Sequence, residues 1–150
     1  MMTEATIQKY VEDLLGKISF AGEVSVQKDE NRYQVSIVSN EGGLLIGQGG
    51  ANIVALQHLL RLCVRKELEG TETTIYLDVN GYWKEKEKVL EEEAVEAAKR
   101  ARTEGHNVVL RSMNAHERKI VHDRLATEEG VSTESTGIGP DRRVVVKKIS

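Results

Sequence analysis

Between residues 42 and 50, five of nine positions are glycine, and no other stretch constrains the fold as strongly. Glycine loses the most freedom on folding and offers no side chain to pack, so a run this dense belongs in a connection rather than inside a helix or strand. The hydrophobic period on either side shows what is connected. Before the run, Val24 and Val26 and then Tyr33, Val35 and Ile37 alternate with polar residues around Lys28-Asp29-Glu30-Asn31, which predicts two antiparallel strands. After it, Ile53, Leu56, Leu60, Cys63 and Val64 form one helical face running to about Leu68, and Gly70 stops it. Ile75, Leu77 and Val79 then alternate in a strand over 74–79, and Ile7, Val11, Leu14, Leu15 and Ile18 predict an amphipathic helix from Thr3 to Ile18. The order helix, strand, strand, glycine loop, helix, strand closes at the turn signal Asn80-Gly81, so the first domain is read as residues 1–80.

The second domain, 81–150, opens with a long helix over Tyr82–Glu104, carrying Trp83, Leu90, Ala94, Ala97 and Ala101 on one face. A short strand over Asn107–Leu110 follows. Asn114 with Glu117 three residues later is a capping-box signature for a helix reaching about Glu129, where Gly130 ends it. Val131–Thr136 and Arg142–Ile149 read as strands joined by Gly137-Ile138-Gly139-Pro140-Asp141. The fold class is therefore α+β, in two small modules.

Charge is unevenly shared. Residues 1–80 hold 7 Lys and Arg against 11 Asp and Glu, net −4, and residues 81–150 hold 14 against 13, net +1. An overall charge of −3 argues against coating nucleic acid by bulk electrostatics. Aromatic residues make up only 4%, too few for a broad base-stacking platform. A single cysteine, Cys63 on the apolar helical face, excludes a disulfide framework and a cysteine-based zinc site. With no signal-peptide pattern and no membrane-length apolar run, a cytoplasmic protein without membrane insertion is expected.

Two constellations carry chemistry. In Leu44-Leu45-Ile46-Gly47-Gln48-Gly49-Gly50-Ala51-Asn52-Ile53, the bare backbone of Gly47, Gln48, Gly49 and Gly50 lets a sugar-phosphate chain approach. The amides at the start of the next helix, at Ala51 and Asn52, can donate to phosphate oxygens, while Ile46 and Ile53 anchor the loop's ends. On that helix His58, Arg61 and Arg65 either extend a phosphate track or form a solvated face; Leu59 and Leu62 are read as core against another element. The second constellation is Arg118 and His122, four residues apart on one helical face. A forked cation and a ring able to donate, stack or charge near neutral pH suit a phosphate backbone. Arg142, Arg143, Lys147 and Lys148 add a basic cluster, in which Arg142 and Arg143 point to opposite faces, so either one could serve the site or the cluster could protect an edge strand. His116 and His122 lie on different helix faces and cannot share a zinc ion, and no phosphate-binding Lys loop or nucleophile elbow is present. No enzyme and no cofactor is expected.

The segment Ile46-Gly47-Gln48-Gly49-Gly50-Ala51-Asn52-Ile53 resembles the KH motif Ile-Gly-x-x-Gly-x-x-Ile, and the surrounding element order is similar to a bacterial-type KH domain, although no Lys or Arg stands inside the loop. Met113 to His122, followed by Thr133-Glu134-Ser135 and Gly139-Pro140-Asp141-Arg142-Arg143-Val144-Val145-Val146, resembles the R-3-H domain, with Arg118 and His122 at its namesake positions and Ala115 where relatives tend to have proline. KH followed by R-3-H resembles the bacterial Jag family, also called SpoIIIJ-associated or KhpB proteins. The resemblance implies a cytoplasmic protein that binds single-stranded RNA, a post-transcriptional regulator linked to cell elongation and division, in a family where some members pair with a second KH protein. The family's N-terminal Jag-N domain has no counterpart in this sequence, so a partner recruited through it is not expected. The rival reading is a protein-interaction adaptor that uses KH surfaces to dimerise, with RNA incidental; the acidic first half and the uncharged loop favour it.

Overall fold

Ile7, Val11 and Leu15 recur on one face of the first helix, α1 (Glu4–Lys17), and all three are buried in the computed structural model, which describes residues 1–149. Thr3 caps this helix, its hydroxyl accepting from the Thr6 amide at 3.2 Å. The chain divides into two compact units, Met1–Tyr82 and Trp83–Ser150.

In the first unit β1 (Glu23–Asp29) and β2 (Arg32–Val38) pair antiparallel, and β3 (Thr74–Val79) lies parallel beside β2, giving the order β1-β2-β3. The hairpin turns on Glu30 and Asn31, with Glu30 at φ 45°. Tyr33, Val35 and Ile37 of β2 and Ile75, Leu77 and Val79 of β3 are buried, as the alternation requires, and they share a core with Ile53, Leu56, Leu60 and Val64 of α3 (Ala51–Val64). The outward edge of β3 is covered from α3. The Gln57 side-chain oxygen accepts from the Leu77 amide at 2.8 Å, and the Arg61 guanidinium donates to the Ile75 carbonyl at 2.9 and 3.2 Å.

Three expectations are corrected by the structure. Part of the glycine run is helical: Gly42–Ile46 forms α2, because a Cβ on Gly42 would fall 2.0 Å from the Asn80 side-chain nitrogen, so packing demands glycine where propensity disfavours it. Asn80-Gly81 does form a turn, and the Asn80 side chain also ties it to the first unit, accepting from the Ser39 amide and donating to the Ser39 carbonyl at 3.0 and 2.9 Å. Helix α3 stops at Val64, its last buried residue, and continues toward Leu68 only as turns. Leu59 and Leu62 are not core but half exposed, and Cys63 is exposed, since α3 meets the sheet along a single stripe.

The second unit is built on α4 (Tyr82–Glu104), whose Ala94, Ala97, Ala98 and Ala101 are buried and allow close approach to its neighbours. β4 (Val108–Ser112), α5 (Ala115–Leu125), β5 (Val131–Thr136) and β6 (Arg143–Lys148) follow, with β6 central and antiparallel to both neighbours in the order β4-β6-β5. Val108, Met113, Val121, Leu125, Val131, Val144 and Val146 complete the core with Leu90. The capping box is present: Asn114 Oδ1 accepts from the Glu117 amide and a Glu117 carboxylate oxygen from the Asn114 amide, each at 2.9 Å. Glu117 is also buried, and the Lys86 ammonium of α4 meets it at 2.9 Å. Helix α5 ends at Leu125 rather than near Glu129, because Leu125 is its last apolar contact and Glu128 is drawn off to Arg102 and Arg124. Among the described residues, no helix is long and apolar enough to cross a membrane.

Candidate nucleic-acid interface

Gly47 sits at φ 72°, ψ 177°, a conformation open essentially only to glycine, and Gly49 and Gly50 follow at φ 62° and 83°. These three torsions turn the chain from α2 into α3. The glycines nevertheless differ in what they face. A Cβ on Gly47 would stand 2.6 Å from Asn52, whose side chain donates to the Leu44 carbonyl at 2.8 Å, and one on Gly50 would stand 2.9 Å from the Tyr82 ring. At Gly49 it would meet open space. Gly47 and Gly50 are thus required by the chain's own packing, and Gly50 is buried; Gln48, Gly49, Ala51 and Asn52 are exposed. The Ala51 amide donates back to the Gln48 carbonyl and closes the turn, so of the two amides expected to face phosphate this one is already engaged within the chain. The anchors differ from those expected: Leu45 and Ile53 are buried, whereas Ile46 is only half-buried. Of His58, Arg61 and Arg65, Arg61 is tied to the β3 edge, while His58 on α3 and Arg65 just past its end are exposed.

In the second unit the structure gathers Arg118, His122 and Arg142. His122 Nδ1 lies 2.7 Å from the Thr133 hydroxyl and Nε2 2.7 Å from the Ser135 hydroxyl. Arg118 donates to the Met113 carbonyl at 2.5 Å, the Met113 amide donates to the Arg142 carbonyl at 3.0 Å, and the Arg142 guanidinium donates to the Gly137 carbonyl at 2.9 Å. The Met113 backbone, its carbonyl accepting from Arg118 and its amide donating to Arg142, therefore links the two arginines. Burial lowers the His122 pKa, Arg118 and Arg142 lower it further, and Asp123 acts in the opposite sense. The imidazole is accordingly held toward its neutral form, and the positive charge here belongs to the arginines. Arg143 is not part of this group: it pairs with Ser112 and Thr136 across the sheet, in alternation with the buried Val144, and donates to the Asp141 carbonyl at 3.0 Å. Lys147 is paired with Glu134.

From sequence, Thr133, Ser135 and Met113 enter only as parts of the R-3-H resemblance, with no role of their own. The alternation of β5 carries a signal for the first two, since residues 133 and 135 share a face with buried Val131 and oppose Glu134. Nothing in the Met113 side chain marks its part, which is played by its backbone amide and carbonyl.

Two domain models match the chain. The KH domain model matches residues 6–88, and the R-3-H domain model matches residues 88–148. Among curated relatives, the RNA-binding protein KhpB of Clostridium symbiosum is 29% identical over 140 residues, covering 92% of this chain and 63% of the relative. KhpB of Bacillus subtilis is 26% identical over 91% of this chain and 66% of the relative, and KhpB of Streptococcus pneumoniae 30% identical over 93% and 42%. The chain thus spans less than two thirds of the length of these relatives. It belongs to the KH-domain family, with an R-3-H domain following the KH domain, and is homologous over most of its length to the KhpB proteins of the Jag family.

Proposed function

We propose that this chain binds single-stranded RNA, gripping the backbone at the Gln48-Gly49 turn and the start of α3, with Arg118 and Arg142 adding phosphate contacts from the second module. The observation that carries the reading is the exposed turn itself: two glycines locked by internal packing hold a third, Gly49, where a side chain would meet open space, directly ahead of a 14-residue helix. A helix N-terminus with its backbone amides is suited to phosphate, and linking two weak sites raises apparent affinity through effective concentration. The relatives named RNA-binding protein support the same class of ligand. We assign the activity to the cytoplasm and to post-transcriptional control of cell elongation and division on family resemblance; crosslinking in cells and sequencing of the bound RNA tests that assignment.

The direct test replaces Gln48 and Gly49 with aspartate, which adds charge where there is room for it. Affinity for a labelled oligouridylate should fall by about tenfold or more at low salt, with the fold intact. Unchanged affinity across a salt series rejects the role of the loop. A second reading, association through the KH unit with itself or another KH protein, draws on the half-exposed Leu59 and Leu62 of α3. Sedimentation with and without RNA separates the two, because an adaptor self-associates without an RNA-dependent shift.

A further inference from the structure

We infer that His122, held by Thr133 and Ser135, is a positioning residue that sets Arg118 and Arg142 for phosphate and does not itself touch RNA; the inference rests on the RNA-binding reading above. An imidazole has two polar atoms, and both are engaged within the chain at 2.7 Å. For the ring to reach a phosphate, one of these bonds must break and leave a part-buried hydroxyl without its partner, a loss comparable to what the new contact would gain. The arginines are in the opposite situation. Each guanidinium carries five N–H donors, and the contacts to the Met113 and Gly137 carbonyls use one on each side chain.

The need for a pin follows from the packing of α5. Its buried residues are Glu117, Val121 and Leu125, one per turn, with Ile120 half-buried against the same core, so the apolar contact lies along one side and a directional restraint on the helix's rotation has to come from polar side chains. Val121 and Leu125 are smooth apolar contacts, and Glu117 acts at the first turn only. Two hydrogen bonds from His122 to alternate residues of β5 fix that rotation at the middle of the helix. Arg118, one turn earlier, is thereby held toward the Met113 peptide, from which the Arg142 backbone also hangs.

The test compares Thr133→Val with Ser135→Ala, which unpins the ring but keeps it, against His122→Ala in the full chain. Binding of a labelled oligouridylate is followed by anisotropy over a salt series, and amide spectra together with Trp83 fluorescence verify folding. Each variant should lose about five- to tenfold in affinity and show a shallower salt dependence, because Arg118 no longer faces phosphate. The triple variant should be no weaker than either, as expected for residues acting as one unit. Losses that add, or a Thr133→Val/Ser135→Ala protein that binds like wild type while His122→Ala does not, overturn the inference and leave the RNA-binding reading intact. A second readout avoids substitutions altogether: ring-nitrogen spectra of 15N-histidine protein should keep both hydroxyl bonds and one tautomer when saturated with RNA, and a tautomer change on binding also overturns it. If Arg118→Ala with Arg142→Ala binds like wild type, the phosphate reading of this module falls, and the inference with it.

Discussion

Replacing Glu117 with glutamine isolates a buried charge from the cap it also makes. The carboxylate accepts from the Asn114 amide at 2.9 Å, a role the glutamine carbonyl can retain, but it also meets the Lys86 ammonium at 2.9 Å with Arg111 at 3.9 Å. Removing one partner of a buried pair costs about 3–5 kcal/mol, because the other charge is left stranded. Here the Lys86 side chain retains 18% of its exposure and can turn partly to water, which brings the expected loss down to about 2 kcal/mol. For a unit of this size that corresponds to roughly 8–16 °C in Tm. Trp83, the only tryptophan, lies at the start of α4 with Lys86 over its ring, so fluorescence during denaturant unfolding reads this unit. Acid adds a second signature. Burial raises the Glu117 pKa, but the Lys86 hydrogen bond, the Asn114 amide and the charges of Lys86 and Arg111 outweigh it and hold the carboxyl below its ordinary 4.5. The unfolded chain therefore binds the proton first as pH falls, so this stabilisation is complete above about pH 4.5 and is lost as pH drops through the folded value. The gap between wild type and Glu117→Gln should narrow on acidification. A gap below about 0.5 kcal/mol at pH 7, or one that persists unchanged into strong acid, refutes the reasoning.

Two further outcomes test the loop and the histidine. Gly50→Ala should destabilise the first unit by about 2–3 kcal/mol, since it adds a methyl 2.9 Å from the Tyr82 ring at φ 83°, whereas Gly49→Ala should cost about 1 kcal/mol for its torsion alone; equal losses in urea unfolding would contradict the packing described. Because burial and the two arginines lower the His122 pKa, the unfolded chain takes up that proton more readily, so the contribution of His122 is full above about pH 6.5 and declines as pH falls through the folded value; an NMR titration placing its midpoint above 6.5 would reverse the sign.

Alternation and helical period revealed the strands and helices because each of those elements buries one face: Tyr33, Val35 and Ile37, or Ile53, Leu56 and Leu60, leave little choice of side. The same rule misjudged Leu59, Leu62 and Cys63, since hydrophobicity shows that a residue can be buried but not that anything arrives to cover it. Helix α2 was hidden because it opens with two glycines, of which Gly42 answers to Asn80, 38 residues downstream, and local propensity carries no record of such a neighbour. Arg118 and His122 were legible as a pair on one helix face, but that Arg142 rather than Arg143 lies beside them needed the start of β6, and the Met113 backbone contacts have no side-chain signature at all.

The α3 side chains that reach over β3 occupy an edge at which another chain could add a strand. An unprotected outer strand is a template on which another molecule's extended segment can zip, and it does so regardless of sequence. At Ile75 and Leu77 the acceptor and the donor such a segment would seek are already engaged by Arg61 and Gln57. Clipping both side chains back to alanine would uncover that template and favour ribbon-like stacking in crowded solution, with the hydrophobic interior still intact.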